Sequence, residues 1–264
     1  MDKYQQEEHG HDAVEEQVAW HTVGIVSGSG DPKWLGIGTG CAIRWHDQDF
    51  ILTADHVIRD TDPRDLRFFF RAPGALNRKE RSELLELKGV ATKSLVPFRE
   101  TQIGEPIRFP ELDIAAIPVN RQIEHERLVQ FFRLNEGGQT PPEGSQLIIM
   151  GFPHDISRLT TDDERVAFTS LEWTDVHPNQ TNLDRKFDPD RHFLSRYYVT
   201  EEHPDAEPHG FSGAGVWTPV RVPPPAVWYP KLALAGLTIG YYRTSTVLQS
   251  IRREIIEDFL IDSL

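Results

Sequence analysis

Apolar residues fall along this chain in short runs broken by turn formers, and only its far end carries helical spacing. Val23-Gly24-Ile25-Val26 alternates weakly, a Gly/Ser/Asp/Pro cluster follows, and Trp34-Leu35-Gly36-Ile37-Gly38-Thr39-Gly40-Cys41-Ala42-Ile43 resumes the pattern, which predicts strands on either side of a turn. His46-Asp47-Gln48-Asp49 reads as a hairpin tip and Phe50-Ile51-Leu52-Thr53 as the returning strand. Phe68 to Phe70, Glu83 to Val90 and Ile114 to Val119 are further predicted strands. Residues 121–146 are polar, with Gly137-Gly138 and Pro141-Pro142, and read as the connection between two halves.

A second strand series covers Gln146 to Met150, Val166 to Trp173, Arg196 to Thr200, Gly215 to Thr218 and Leu232 to Ile239. The charged, His/Asp/Arg-rich stretch 154–192 is expected to form long surface loops on it. Near the end, Val247, Leu248, Ile251, Ile255, Phe259 and Leu260 recur at three- and four-residue spacing, which predicts an amphipathic helix over about 246–262. Short strands separated by turns favour barrels or sandwiches over alternating βα units. The expected architecture is therefore all-β, with halves near 18–125 and 145–245, a closing helix, and an acidic tail at 1–17.

Composition narrows the setting. The 264 residues are 38% hydrophobic and 26% charged, ordinary for a globular protein. With 28 basic against 41 acidic residues the net charge is −13, which argues against nucleic acid or an anionic membrane as partner. One cysteine, Cys41, allows no intrachain disulfide and favours a reducing compartment. The acidic opening MDKYQQEEHGHDAVEEQ has no apolar run, and no stretch approaches the roughly 20 apolar residues of a membrane helix. A cytoplasmic location is the expectation.

Three motifs carry candidate chemistry. His56 ends the apolar run Ile51-Leu52-Thr53-Ala54-Asp55-His56, Asp113 opens Asp113-Ile114-Ala115-Ala116-Ile117, and Ser212 sits in Gly210-Phe211-Ser212-Gly213-Ala214-Gly215. An imidazole can take the proton of a serine hydroxyl, and a carboxylate can fix the imidazole tautomer, so a His, Asp, Ser set suits acyl transfer. Glycines beside the serine suit a turn that aims two main-chain N–H groups at one point.

Their order and context resemble the trypsin/chymotrypsin superfamily of serine proteases, and in particular its disulfide-free bacterial branch without a PDZ module. The resemblance implies two six-stranded antiparallel Greek-key barrels and a serine endopeptidase. In it His56 is the base, Asp113 its orienting acid, Ser212 the nucleophile, and the N–H groups of Gly210 and Ser212 the oxyanion hole. Gly151-Phe152-Pro153 also resembles the bacterial members, and Thr238, Ile239 and Gly240 resemble the strand that pairs with substrate. The primary pocket would be based on Ala206, six residues before the serine, which suits a small or apolar substrate side chain; Asp205 and Glu207 flank it. No cofactor is implied. The partners are a protein or peptide substrate and an activating protein, with a latent or inactive binding module as the alternative reading.

Some residues depart from the pattern. Phe211 stands where zymogen-forming members have the aspartate that pairs with a new N-terminus, so that switch is not expected. Asp55, beside His56, reads either as a solvated turn acid, the favoured reading, or as a charge acting on His56. Apart from His9-x-His11 in the N-terminal tail, the histidines, among them His154, His177, His192, His203 and His209, form no tight HxH or HExxH with a carboxylate partner, and all are expected to be solvated. Cys41 is expected to be a buried small residue. Gly36-Ile37-Gly38-Thr39-Gly40 lacks the features of a phosphate loop and reads as a glycine-rich strand facing His56.

Overall fold

The computed structural model describes residues 13–14, 17–27, 36–63, 66–70, 95–96, 103–119, 130–134, 141–152, 158–159, 165–166, 170–178, 183, 187–197, 208–220 and 231–263. The first half comprises β1 (Thr22–Ser27), β2 (Gly36–Trp45), β3 (Gln48–Ala54), β4 (Arg67–Phe70), β5 (Leu95–Val96), β6 (Ile107–Phe109) and β7 (Ile114–Val119). They form a sheet in the order β5-β4-β1-β2-β3-β7-β6, and β8 (Phe132–Arg133) joins β2 in parallel. A one-turn helix, α1 (Asp55–Ile58), follows β3.

The second half adds β9 (Gln146–Gly151), a separate hairpin of β10 (Arg158–Leu159) and β11 (Arg165–Val166), then β12 (Ser170–His177), β13 (His192–Arg196), β14 (Gly215–Val220), β15 (Lys231–Tyr242) and β16 (Val247–Arg252). Six of these close into a barrel in the order β12-β13-β16-β15-β14-β9. The chain ends in α2 (Arg253–Ser263).

Period-two alternation is weak in the sequence because the central strands bury both faces. In β3, Phe50, Leu52 and Ala54 face the seam between the halves, whereas Ile51 faces the interior of the first sheet. In β7, Ile114 and Ala116 face the seam and Ala115, Ile117 and Val119 the interior. In β9, Ile148 and Met150 face the seam while Leu147 and Ile149 fill the barrel. Two-sided burial turns an alternating text into a continuous apolar run. Each buried Leu, Ile, Val or Phe side chain is worth about 1.5–3 kcal/mol, so the seam is itself a core.

Residues 13–14 and 17–20 are helical, and Val14, Val18 and Ala19 are buried in the seam cluster, so packing reaches into the segment read from the sequence as a tail. The α2 helix buries Ile256, Phe259 and Leu260 in the same cluster at three- and four-residue spacing. Its Arg253 is 2% exposed; it donates to Glu257 Oε1 at 2.7 Å and to the Leu134 carbonyl, which ties the helix to the first half.

The all-β trypsin-like fold class expected from the sequence is the one observed, with local differences. The helix begins at Arg253, not near 246, because Val247–Arg252 is the strand that closes the barrel between β13 and β15. Gln249 and Ser250 mimic the polar face of a helix in the sequence, yet both are buried. Their polar atoms are met by the Tyr242 hydroxyl at 2.8 Å and by Thr238 Oγ1 at 3.5 Å. Similarly, β13 begins at His192, ahead of the expected Arg196, because its partner is β16, and residues 198–200 of the expected strand lie outside the described residues. The first half has eight strands, not six, among the described residues. The strand expected over Glu83 to Val90 lies outside them. No described helix is long and apolar enough to cross a membrane.

Candidate active site

The pairing of β3 with β7 brings two of the expected residues together. Ala54 pairs with Ile114, so the residues just beyond these strand ends meet: Asp55-His56 in α1 and Asp113 in the β6–β7 turn. The Asp55 main-chain N–H donates to the Asp113 carbonyl at 3.0 Å. The His56 main-chain N–H donates to Asp113 Oδ1 at 2.9 Å, and His56 Nδ1 lies 2.7 Å from Asp113 Oδ2. An ionised carboxylate only accepts, so the neutral tautomer that fits this arrangement has its proton on Nδ1 and its lone pair on Nε2. Asp113 itself has φ +55°, a left-handed conformation that aspartate tolerates better than most side chains.

Asp55 is not the solvated turn acid favoured from the sequence. It is 2% exposed, and Arg108 of β6 grips its carboxylate with two N–H donors, Nε to Oδ1 at 2.6 Å and Nη2 to Oδ2 at 3.1 Å. A carboxylate is seldom buried without such a partner. The distant arginine that permits it cannot be inferred from Asp55's neighbours in the sequence.

The Ser212 turn is built by main chain and one threonine. Gly210 has φ +101° and Gly213 φ +88°. A Cβ on Gly213 would overlap the Thr39 carbonyl oxygen and crowd Thr53 Oγ1, so this position requires glycine. Thr39, fully buried in β2, holds the turn from the first half. Its N–H donates to the Ser212 carbonyl at 2.9 Å and its hydroxyl donates to the Gly210 carbonyl at 2.5 Å. The same hydroxyl accepts from the Phe152 N–H at 3.1 Å, and the Thr39 carbonyl accepts from Thr53 Oγ1 at 2.8 Å. Phe211 points away from Ser212 into the barrel core, fully buried and edge-on to Tyr197.

Within the turn, the N–H groups of Phe211, Gly213 and Ala214 donate to the carbonyls of Pro208, Thr238 and Phe211. Among the described residues, those of Gly210 and Ser212 donate to nothing. Two alternate donors on a turn of fixed shape are what binding an oxyanion requires. Ser212 is partly exposed, and among the described residues its hydroxyl makes no hydrogen bond to His56.

Of the expected substrate strand, Thr238 is 1% exposed and braces the Ser212 turn: its N–H donates to the Ala214 carbonyl at 2.8 Å and its carbonyl accepts from Gly213 at 2.7 Å. Ile239 sits at a bulge where the β15–β16 register shifts, and Gly240 pairs with Gln249. Ile239 also lines an open cavity of about 290 Å³ with Glu111, Asp113, Asp188, Arg191 and His192, so the cavity is walled by both halves. Burial lowers the pKa of His192 there. Ala206 lies outside the described residues.

Cys41 is buried, as expected, and burial raises its thiol pKa, which leaves it inert. Gly38 leaves room for Val57, next to His56, in keeping with a glycine-rich strand at this site. Among the described residues no three His, Cys, Asp or Glu side chains gather as a metal site. Two residues that shape this geometry went unread in the sequence, Thr39 and Arg108. The Gly-Thr-Gly context of Thr39 was the available signal for the first; nothing marked the second.

The family model described as Trypsin matches residues 9–174. No curated protein matches the chain in sequence. Among solved structures, the chain is similar to the active form of the Rv3671c protease from M. tuberculosis, at 14% identity and TM-score 0.56, covering 95% of this chain and 83% of that one. It is similar to the serine endoprotease from Yersinia pestis, at 14% identity and TM-score 0.52, covering 96% and 67%. It is likewise similar to the scabies mite inactivated protease paralogue S-I1, at 13% identity and TM-score 0.53, covering 94% and 95%. At these identities the likeness is one of fold.

Proposed function

The chain belongs to the trypsin family of serine proteases, and from that premise we propose that it is an active endopeptidase in which His56, Asp113 and Ser212 work as one unit. The observation that carries the reading is the double grip of Asp113 on His56, through the main-chain N–H and through Nδ1. It leaves Nε2 as the base for the Ser212 hydroxyl. In the reaction Ser212 Oγ attacks the peptide carbonyl while its proton passes to Nε2. The imidazolium, stabilised by Asp113, then returns that proton to the leaving amine. The N–H groups of Gly210 and Ser212, unengaged among the described residues, receive the oxyanion, each worth about 3–4 kcal/mol in the transition state. Water repeats the sequence on the acyl-enzyme.

The Ser212–His56 hydrogen bond is absent among the described residues, and such contacts tighten when substrate binds. The same gap favours a second reading, a protease held latent until a protein partner closes it. The 290 Å³ cavity beside Asp113 and Ile239 suits substrate residues on the acyl side of the cleaved bond. The β15 segment Thr238, Ile239 and Gly240 is the partner for that substrate strand; with no substrate bound, the Thr238 main chain is engaged by the Ser212 turn and Gly240 pairs with Gln249. A reducing compartment is consistent with one buried cysteine.

Fluorophosphonate labelling of the purified chain tests this. Labelling of the wild type that disappears in Ser212→Ala, with the melting curve unchanged, supports an active enzyme. Labelling that requires added cell extract supports the latent reading, and equal labelling of both proteins would sink the assignment of Ser212.

A further inference from the structure

Asp55 and Arg108 lie outside the His56–Asp113 pair and the Ser212 turn, yet they join the two elements that carry His56 and Asp113. Asp55 immediately precedes His56 in α1, and Arg108 sits in β6, opposite Ala115 of β7. The Asp55 side chain is 3% exposed and that of Arg108 38%. The contact is a two-pronged fork, which an arginine supplies in a fixed plane and a lysine does not. Main-chain bonds already cross the same gap, from Asp55 N–H and His56 N–H to Asp113.

Asp113 needs such bracing for two reasons. Its carboxylate serves two donors at once, and its main chain is held at φ +55° in the left-handed region. A turn in that conformation relaxes when its surroundings stop holding it. From this geometry we infer that the Asp55–Arg108 pair is a positioning latch, which holds α1 against the β6–β7 hairpin so that His56 Nδ1 stays on Asp113. The latch rests on the proposed roles of His56 and Asp113, and it explains why this chain buries a carboxylate next to its base. Neither latch residue touches the reacting atoms.

The experiment uses Arg108→Met, Arg108→Lys, Asp55→Asn and the double variant Asp55→Asn/Arg108→Met in the full chain. Three quantities are measured: the second-order rate of fluorophosphonate labelling, the low-field proton resonance of His56 Nδ1, and the unfolding midpoint. Misplacement of a catalytic group by about 1 Å costs about 10²-fold. Arg108→Met and the double variant should therefore label about 10²-fold more slowly and lose or broaden the resonance while folded at the assay temperature. Arg108→Lys should recover part of the rate and Asp55→Asn should fall between. The double variant separates positioning from simple charge neutralisation, because it leaves no unpaired buried charge. Wild-type rate and resonance in the double variant overturn the latch, and so do losses that merely track the unfolded fraction. If the wild type fails to label even with cell extract added, the catalytic reading falls, while the resonance still decides whether the pair holds His56 on Asp113.

Discussion

The two halves hold their share of the site by different means. In the first half, buried acids are clamped by arginine forks: Asp49, fully buried, by Arg44 at 2.6 and 3.0 Å, and Asp55 by Arg108. Asp113 is in turn bonded to His56. The strands of the second half bury neutral polar groups, among them Thr174, Ser195, Thr238, Gln249 and Ser250. Its Ser212 turn is held by main-chain bonds and by Phe211 sunk in the apolar core. The half proposed to move protons is built from charges that fix side-chain direction. The half proposed to bind developing negative charge presents backbone donors, which stay rigid at no cost in reorganisation.

That contrast can be broken at its strongest point first. Asp113→Asn should lower the turnover number by about 10⁴-fold, the loss expected when the base adopts the wrong tautomer. The melting temperature should change little, as the side chain is 30% exposed; steady-state hydrolysis and a thermal melt measure both. A fall of less than about tenfold would detach Asp113 from the chemistry.

On the other half the expected damage is to stability. Phe211→Ala removes a fully buried ring from the barrel core and should cost about 3–5 kcal/mol in urea unfolding. Smaller still is Thr39→Val. It strands the Gly210 carbonyl, a buried group worth about 1–3 kcal/mol when left without a partner. Thr39→Ser, which keeps the hydroxyl, should restore most of that stability. Equal losses for the valine and serine variants would show that the methyl, not the hydroxyl, holds the turn.

The mildest test concerns pH. Burial lowers the pKa of His21, against a hydrogen bond with the Gln130 carbonyl that raises it. The folded chain therefore keeps this ring neutral where the unfolded chain has begun to bind a proton. Stability falls as pH drops below about 6.5 toward the lowered folded value, and is regained as pH rises. His21→Gln should show a shallower loss of denaturation midpoint between about pH 7.5 and about pH 5.5. An unchanged slope would place the titration elsewhere.

The same contrast explains what the sequence reveals. His56, Asp113 and Ser212 stand in short local contexts, an apolar strand end or a glycine-rich turn, and local context is readable. Arg108 and Thr39 act on partners 53 and 171 positions away, and no local pattern encodes such a meeting. The closing strand at Val247–Arg252 was hidden for a related reason, since Gln249 and Ser250 find their hydrogen bonds inside a barrel that exists only after the chain has closed. Asp55 looked solvated because carboxylates usually are.

Thr39 has one more consequence. It belongs to the first half, yet its N–H and hydroxyl set the shape of a turn that belongs to the second. The docking of the halves and the shape of the Ser212 turn are thus coupled. On the proposed roles, a chain whose halves were misdocked would carry His56, Asp113 and Ser212 intact and still be chemically silent.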